Sequence, residues 1–207
     1  MKLSAAKSIS RFSNVAALAT LLAGLSLGCA PHYIASNFDL YSTRTKVVAI
    51  APMANLSTDK EGAQAGQSIR EAIFYELSRR QDKYTVSIQD IAETDKRIRE
   101  ASSSDSAAAR LPGVDLCKMI GADAVMKGSV TRFRKKGAGG QVATLLLFGF
   151  AKGSEIKADV AIYDGTDGKL IWQHNIEKAG GLMSSPDALR NKVGGAVAKK
   201  FPYKKKT

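Results

Sequence analysis

Lys46-Val-Val-Ala-Ile-Ala-Pro52 decides how the rest of this chain is read. The run is short, apolar, rich in β-branched residues and stopped by proline, which is the pattern of a central strand. Asn55–Asp59 follows as loop, and Thr58 with Glu61 fits a capping box. From there a helix is expected to run to about Arg80, with Arg79 and Arg80 suiting the negative end of its dipole. Ala65, Ile69, Ala72, Ile73 and Leu77 recur at helical spacing and make an apolar stripe. Tyr84, Val86 and Ile88 alternate with Thr85 and Ser87 as a half-buried strand. A strand, a long helix and a second strand make one crossover unit.

Downstream, Asp90 and Glu93 set a second capping box, opening a polar helix to about Ala101 with a thin apolar face of Ile91, Ala92 and Ile98. Ser102–Ser106 reads as a flexible break. Leu116, Met119 and Ile120 belong to a short helix that Gly121 closes. Asp123–Phe133 is a strand. In Ser154–Tyr163, Ile156, Ala158, Val160 and Ile162 share one face. Asp164–Gly168 is a turn, and Lys169–Ile176 returns as the second arm of a hairpin. Ser185 and Pro186 are an N-cap and first helical residue, and Leu189, Val193, Ala196, Val197 and Phe201 line the last helix. The expected order is β-α-β-α-α-β-β-β-α. The fold class is α/β, a single compact domain over 45–201 with a mixed β-sheet and helices packed on it. Within it, 134–154 is a Gly-rich apolar insert, and 202–207 is a basic tail.

The chain has 207 residues, a formal net charge of +12, 44% hydrophobic and 24% charged residues. That balance excludes a disordered chain, a collagen-like repeat and a polytopic membrane protein. Two cysteines are too few for a disulfide scaffold. Residues 1–28 read as a signal peptide. Lys2, Lys7 and Arg11 precede the apolar run Val15–Leu27, which is shorter than the ~20 residues of a membrane span and fits a signal-peptide core. Leu25-Ser-Leu-Gly-Cys29 resembles the lipobox of bacterial lipoproteins, with Ser26 where that motif usually carries a large apolar residue. The resemblance implies cleavage before Cys29, a diacylated thiol and an acylated new N-terminus. Three chains exceed the two signals that stable anchoring takes. The partner so implied is the lipid bilayer, through acylated Cys29. Ala30, in place of an aspartate, implies by the same resemblance the periplasmic face of the outer membrane. An ordinary secretory signal and a single membrane anchor remain the alternatives. Residues 29–44 are expected as an acylated tether, part of which packs down through Tyr33, Phe38 and Tyr41.

Three blocks then stand together: Val47–Ser57 with the helix around Ile69–Leu77, Ile120–Val130, and Ala158–Trp172. They resemble a superfamily of bacterial envelope lipoproteins and periplasmic domains. It includes the curli-secretion channel subunit (CsgG), the lipoprotein activators of penicillin-binding proteins and the TolB amino-terminal domain. The resemblance implies a compact α/β domain that assembles or regulates envelope machinery. Its motifs are structural rather than catalytic. The channel subunits carry two long hairpins that build a barrel, whereas only 134–154 is a candidate insert here. A barrel crossing takes alternating strands of about 9–11 residues, and Gly137–Phe150 is apolar without alternating.

Catalytic signals are sparse. Cys117 and His174 could form a nucleophile–base pair, or Cys117 is a buried inert thiol. No histidines or cysteines have metal-site spacing, and no Gly-x-Ser-x-Gly or phosphate-loop motif occurs. Asp164, Asp167 and Gly168 have the composition of a calcium loop and equally that of a tight turn. Neither a cofactor nor a catalytic or metal site is expected. Lys127, Arg132, Arg134, Lys135 and Lys136 form one basic cluster, and the C-terminal lysines form another. A periplasmic address excludes nucleic acid, leaving anionic head groups, an acidic protein or a merely solvated face. Leu145, Leu146, Leu147, Phe148 and Phe150, between Gly-rich stretches, are expected as a membrane or partner contact, the alternative being buried core. The sequence thus predicts a non-enzymatic outer-membrane lipoprotein with a structural, adaptor or assembly role, contacting an envelope protein or itself. A secretion-channel subunit and a Cys117-dependent hydrolase are its rivals.

Overall fold

The computed structural model describes residues 32–57, 62–101, 104–134, 154–180 and 186–205. Residues 1–28 and Cys29, Leu145–Phe148, Phe150, Thr58 with Glu61, and Ser185 lie outside the described residues. From His32 onward the chain forms one compact unit by itself.

The described residues form seven strands and six helices. In chain order they are β1 (His32–Ile34), α1 (Phe38–Arg44), β2 (Val47–Ile50), β3 (Ala54–Asn55), α2 (Gly62–Ser78), β4 (Ser87–Ile88), α3 (Ile91–Glu100), α4 (Asp105–Arg110), α5 (Gly113–Ile120), β5 (Ala124–Arg134), β6 (Glu155–Asp164), β7 (Leu170–Ala179) and α6 (Pro186–Lys200). One mixed sheet has the order β1-β7-β6-β5-β2-β4, and β3 pairs with β5 past the end of β2. β2 is parallel to both β4 and β5, so β2–α2–β4 is the expected crossover. β5, β6, β7 and β1 are antiparallel neighbours.

Alternation along the strands builds two cores of unequal reach. Val48, Ile50, Ala124, Met126, Ile156, Val160, Ile162 and Trp172 face α2 and α6. The α2 stripe Ala65, Ile69, Ala72, Ile73 and Leu77 is buried against them. Ala49, Ala51 and Val125 face the other way, toward Ile98, Ala108, Leu116, Cys117 and Ile120 of α3–α5. That second layer covers β2 and β5, while Lys157, Asp159, Ala161, Gln173 and Asn175 of β6 and β7 stay half-buried. Helices α2 and α6 approach closely at Gly194, where a Cβ would sit 2.4 Å from the Ala72 carbonyl oxygen. Gly121 closes α5 in the left-handed region at φ 64°, as expected.

Arg70 of α2 is fully buried and joins the two layers. Its Nε donates to the Ile50 carbonyl at 3.0 Å, and Nη1 lies 2.7 Å from Asp95 Oδ1 on α3. A buried guanidinium without such partners would be strongly unfavourable.

Several expectations are corrected. Residues 32–44 are not a tether. β1 pairs with β7, and α1 buries Tyr41 at 2% exposure because it packs at the sheet margin. The folded unit therefore begins at His32 rather than 45. It also extends past 201. Tyr203 is 1% exposed, its ring lies 5.2 Å from Phe38, and its hydroxyl donates to Thr45 Oγ1 at 3.4 Å. The basic tail is thus held at its start, with Lys204 bridged to Tyr84. The expected break at 102–106 ends in a helix, α4, capped by Ser104 accepting from Ala107 N–H. Asp90 caps α3 alone, while Glu93 turns to Arg97 at 2.6 Å instead of closing a capping box.

Leu77 is 0% exposed, so Leu77→Ala should cost ~2–5 kcal/mol in chemical denaturation. Arg70→Met, which leaves Asp95 without its partner, should cost about 3–5 kcal/mol. Values near zero would mean that α2 is not clamped to the sheet and to α3.

Candidate functional site

The two residues that would make a hydrolase do not meet. Cys117 is 2% exposed in the core beneath α3–α5. Burial, with the Asp164 and Asp123 carboxylates adding, pushes its thiol up to about 12. His174 lies on β7, paired in register with Val160, whose side chain belongs to the opposite core. The sheet separates the two groups. The Asp164–Gly168 segment is a turn. Asp164 accepts from the N–H groups of Thr166 and Asp167 at 2.8 and 2.9 Å and pairs with Arg44 at 2.7 Å. Gly168 takes φ 69°, which favours glycine. Among the described residues no group of three or more His, Cys, Asp or Glu could hold a metal.

Of the first basic cluster, Lys127 and Arg132 are described, and the side chains of Arg134, Lys135 and Lys136 lie outside the described residues. The Lys127 ammonium donates to the Leu111 carbonyl, and burial lowers its pKa. Arg132 lies 3.5 Å from Glu155. These side chains serve the fold rather than a common patch.

The distinctive region is the β1 edge. β1 is antiparallel to β7, with His32 opposite His174 and Ile34 opposite Trp172. The chain therefore enters β1 from the end of the sheet where β7 stops, and where β5 stops and β6 begins at the Arg134–Glu155 pair. The start of β1, the end of β5 and the start of β6 consequently point to one end of the sheet. Trp172 holds β1 in place, because its indole N–H donates to His32 Nε2 at 2.9 Å. Tyr33 and Ile34 are 47% and 44% exposed, leaving an open sheet edge.

Beside this edge, β7 and α6 enclose a groove of about 480 Å³ lined by His174, Lys178, Lys192, Lys199 and Lys200. Gly195 and Ala196 form its floor. The His174 ring lies 5.7 Å from that of His32 and is 8% exposed, and its Nδ1 has no hydrogen-bond partner. Burial, then His32, Lys200 and Lys178, hold His174 below the ordinary histidine range. Sequence reasoning grouped Lys199 and Lys200 with the other C-terminal lysines and weighed His174 only as a base for Cys117. The groove exists because β7 and α6, adjacent in sequence, also pack together. Lys192, Lys199 and Lys200 of α6, seven and eight residues apart, share one helix face with Gly195 and Ala196 between them, a spacing visible in the sequence.

No family model matches the sequence, and no curated protein matches it. Among solved structures, the fold is similar to a PelC dodecamer from Paraburkholderia phytofirmans, with 15% identity and a TM-score of 0.52 over 84% of this chain and 98% of that one. It is also similar to the lipoprotein GNA1162 from Neisseria meningitidis, with 17% identity and a TM-score of 0.52 over 75% of this chain and 96% of that one. At these identities the likeness shows a common fold.

A thiol held near 12 stays protonated through neutral and mildly alkaline pH, and the thiolate is what alkylates. In a Cys29→Ser protein at pH 8, iodoacetamide should therefore modify Cys117 at least about 100-fold more slowly before unfolding than after. Comparable rates would mean an accessible, reactive cysteine.

Proposed function

We propose that this chain is a lipid-anchored protein of the bacterial envelope, held at the periplasmic face of the outer membrane through Cys29. Its role is structural, adaptor-like or assembly-related rather than enzymatic. The observation that carries this reading is the direction of β1. The described domain begins at His32, and covalent geometry keeps residue 29 within about 10 Å of it. An acyl group on Cys29 then leaves no long tether, so the domain rests close against its membrane. The apolar 145–150 segment departs from the same end of the sheet, between β5 and β6. The separation of Cys117 from His174 supports a non-catalytic role. The fold shared with the Neisseria meningitidis lipoprotein supports the anchored reading.

A second reading, an oligomeric channel subunit, is favoured by one observation. The Paraburkholderia phytofirmans protein of similar fold is a dodecamer. On either reading, Leu145, Leu146, Leu147, Phe148 and Phe150 supply the surface that meets membrane or a neighbouring subunit.

Cys29→Ser should abolish metabolic labelling with palmitate and leave unprocessed precursor. A variant still cut after Gly28 and equally membrane-bound would overturn the anchored reading. Leu146→Asp separates contact surface from core. In the unacylated domain it should change stability by no more than about 0.5 kcal/mol while membrane insertion or self-association falls. A collapsed melting temperature would assign the segment to the core.

A further inference from the structure

The groove between β7 and α6 has no part in the fold's own electrostatics. Lys204 and Lys205 donate to the carbonyls of Lys199 and Asp82 at 2.6 and 2.7 Å. Lys178, Lys192, Lys199 and Lys200, by contrast, have no ion pair among the described residues. Four lysines and a nine-tenths buried imidazole line a space of about 480 Å³, which concentrates positive charge beside it. Concentrating like charge this way disfavours the bare fold, and a bound anion relieves it. His174 lines this wall, and its Nδ1 is buried without a hydrogen-bond partner. The floor is open because Gly195 lacks a side chain, and a Cβ there would meet nothing within 4 Å.

We infer that this groove is a binding site for the phosphate of an anionic lipid head group in the membrane that carries the anchor. The lipid assignment rests on the anchored reading above, and two observations point to it. His174 is opposite His32 in register, so the groove opens beside the strand that the anchor leads into. Residue 29 is three residues from His32 in the chain, so an acyl group there would bring β1 and the groove beside it close to lipid head groups. Lysines on one helix face, flanking a small-residue floor, also match a compact tetrahedral anion held by point charges rather than a planar carboxylate held in a bidentate fork.

The test uses the chain from residue 29 with Cys29→Ser, which retains the whole compact unit and carries no acyl group. Its sedimentation is compared on vesicles of phosphatidylcholine alone and of phosphatidylcholine mixed with phosphatidylglycerol, at physiological ionic strength. Binding is expected only on the mixed vesicles. Lys178→Gln with Lys192→Gln should weaken it about 25-fold, at about five-fold per lysine. Removing two exposed lysines elsewhere, Lys96→Gln with Lys118→Gln, should weaken it far less. Gly195→Gln fills the floor without removing charge, suits a helix better than glycine, and should also weaken binding. Equal loss from the two lysine pairs, or no loss with Gly195→Gln, would reduce the groove to general surface charge and overturn the site. Displacement from the vesicles by inorganic phosphate well beyond that by chloride at equal ionic strength would assign the groove to a free anion and overturn the lipid. None of these outcomes depends on acylation, so failure here leaves palmitate labelling of Cys29 to stand or fall separately.

Discussion

The pairing of β5 on both of its edges is the constraint on which the rest depends. One edge takes β2 and then β3 in parallel, and the other takes β6 in antiparallel register from Ala124–Asp164 to Arg134–Glu155. Along the same strand, Ala124 and Met126 face one helical layer and Val125 the other. A strand buried on both faces and paired on both edges fixes every neighbour at once. The parallel side requires a crossover, which α2 supplies, and the antiparallel side leads through a hairpin to β7 and then β1. A one-residue slip of β5 would exchange its two faces and unseat both layers.

From that strand follows the unequal coverage of the sheet. α2 and α6 cover one face broadly, with Gly194 allowing them to meet at backbone distance. α3–α5 cover the other face over β2 and β5 and reach β6 at Tyr163. Arg70 spans the layers at this junction, bonding the end of β2 and reaching Asp95. The β6–β7–β1 half is therefore left with an open polar face, an open edge and a cationic groove, which is where binding rather than packing is expected.

Elements with strong periodicity were legible. The α2 stripe, the β6–β7 hairpin, the Gly121 stop and the crossover all follow from spacing that burial then satisfies. What was not legible depends on distant partners. β1 is three residues of no pattern, and it exists because β7 offers Trp172 and a free edge. α1 and Tyr203 stabilise each other across nearly the whole chain, through Phe38 and Thr45. β4 shortened to two residues because Tyr84 and Val86 are buried outside the ladder, with Tyr84 bridging Lys204 instead of continuing β4. Of the candidate site, the α6 lysines were legible as a charge run, whereas the lipobox-like motif at Cys29 lies outside the described residues. The groove was not legible, because it needs His174 and Lys178 from a strand that faces them only in three dimensions.

The central claim is that the domain is held with its β1 edge and chain-entry end toward the membrane. The acylated protein in a nanodisc containing gadolinium-bearing lipid tests it most directly, through the relaxation of individual amide signals. Lys178, Gly195 and Glu155 should relax fastest. Thr166, at the opposite end of a β6 strand about 30 Å long, and Ser87, at the opposite edge, should be little affected. Fastest relaxation at Thr166 or Ser87, or uniform relaxation over the domain, would contradict the account.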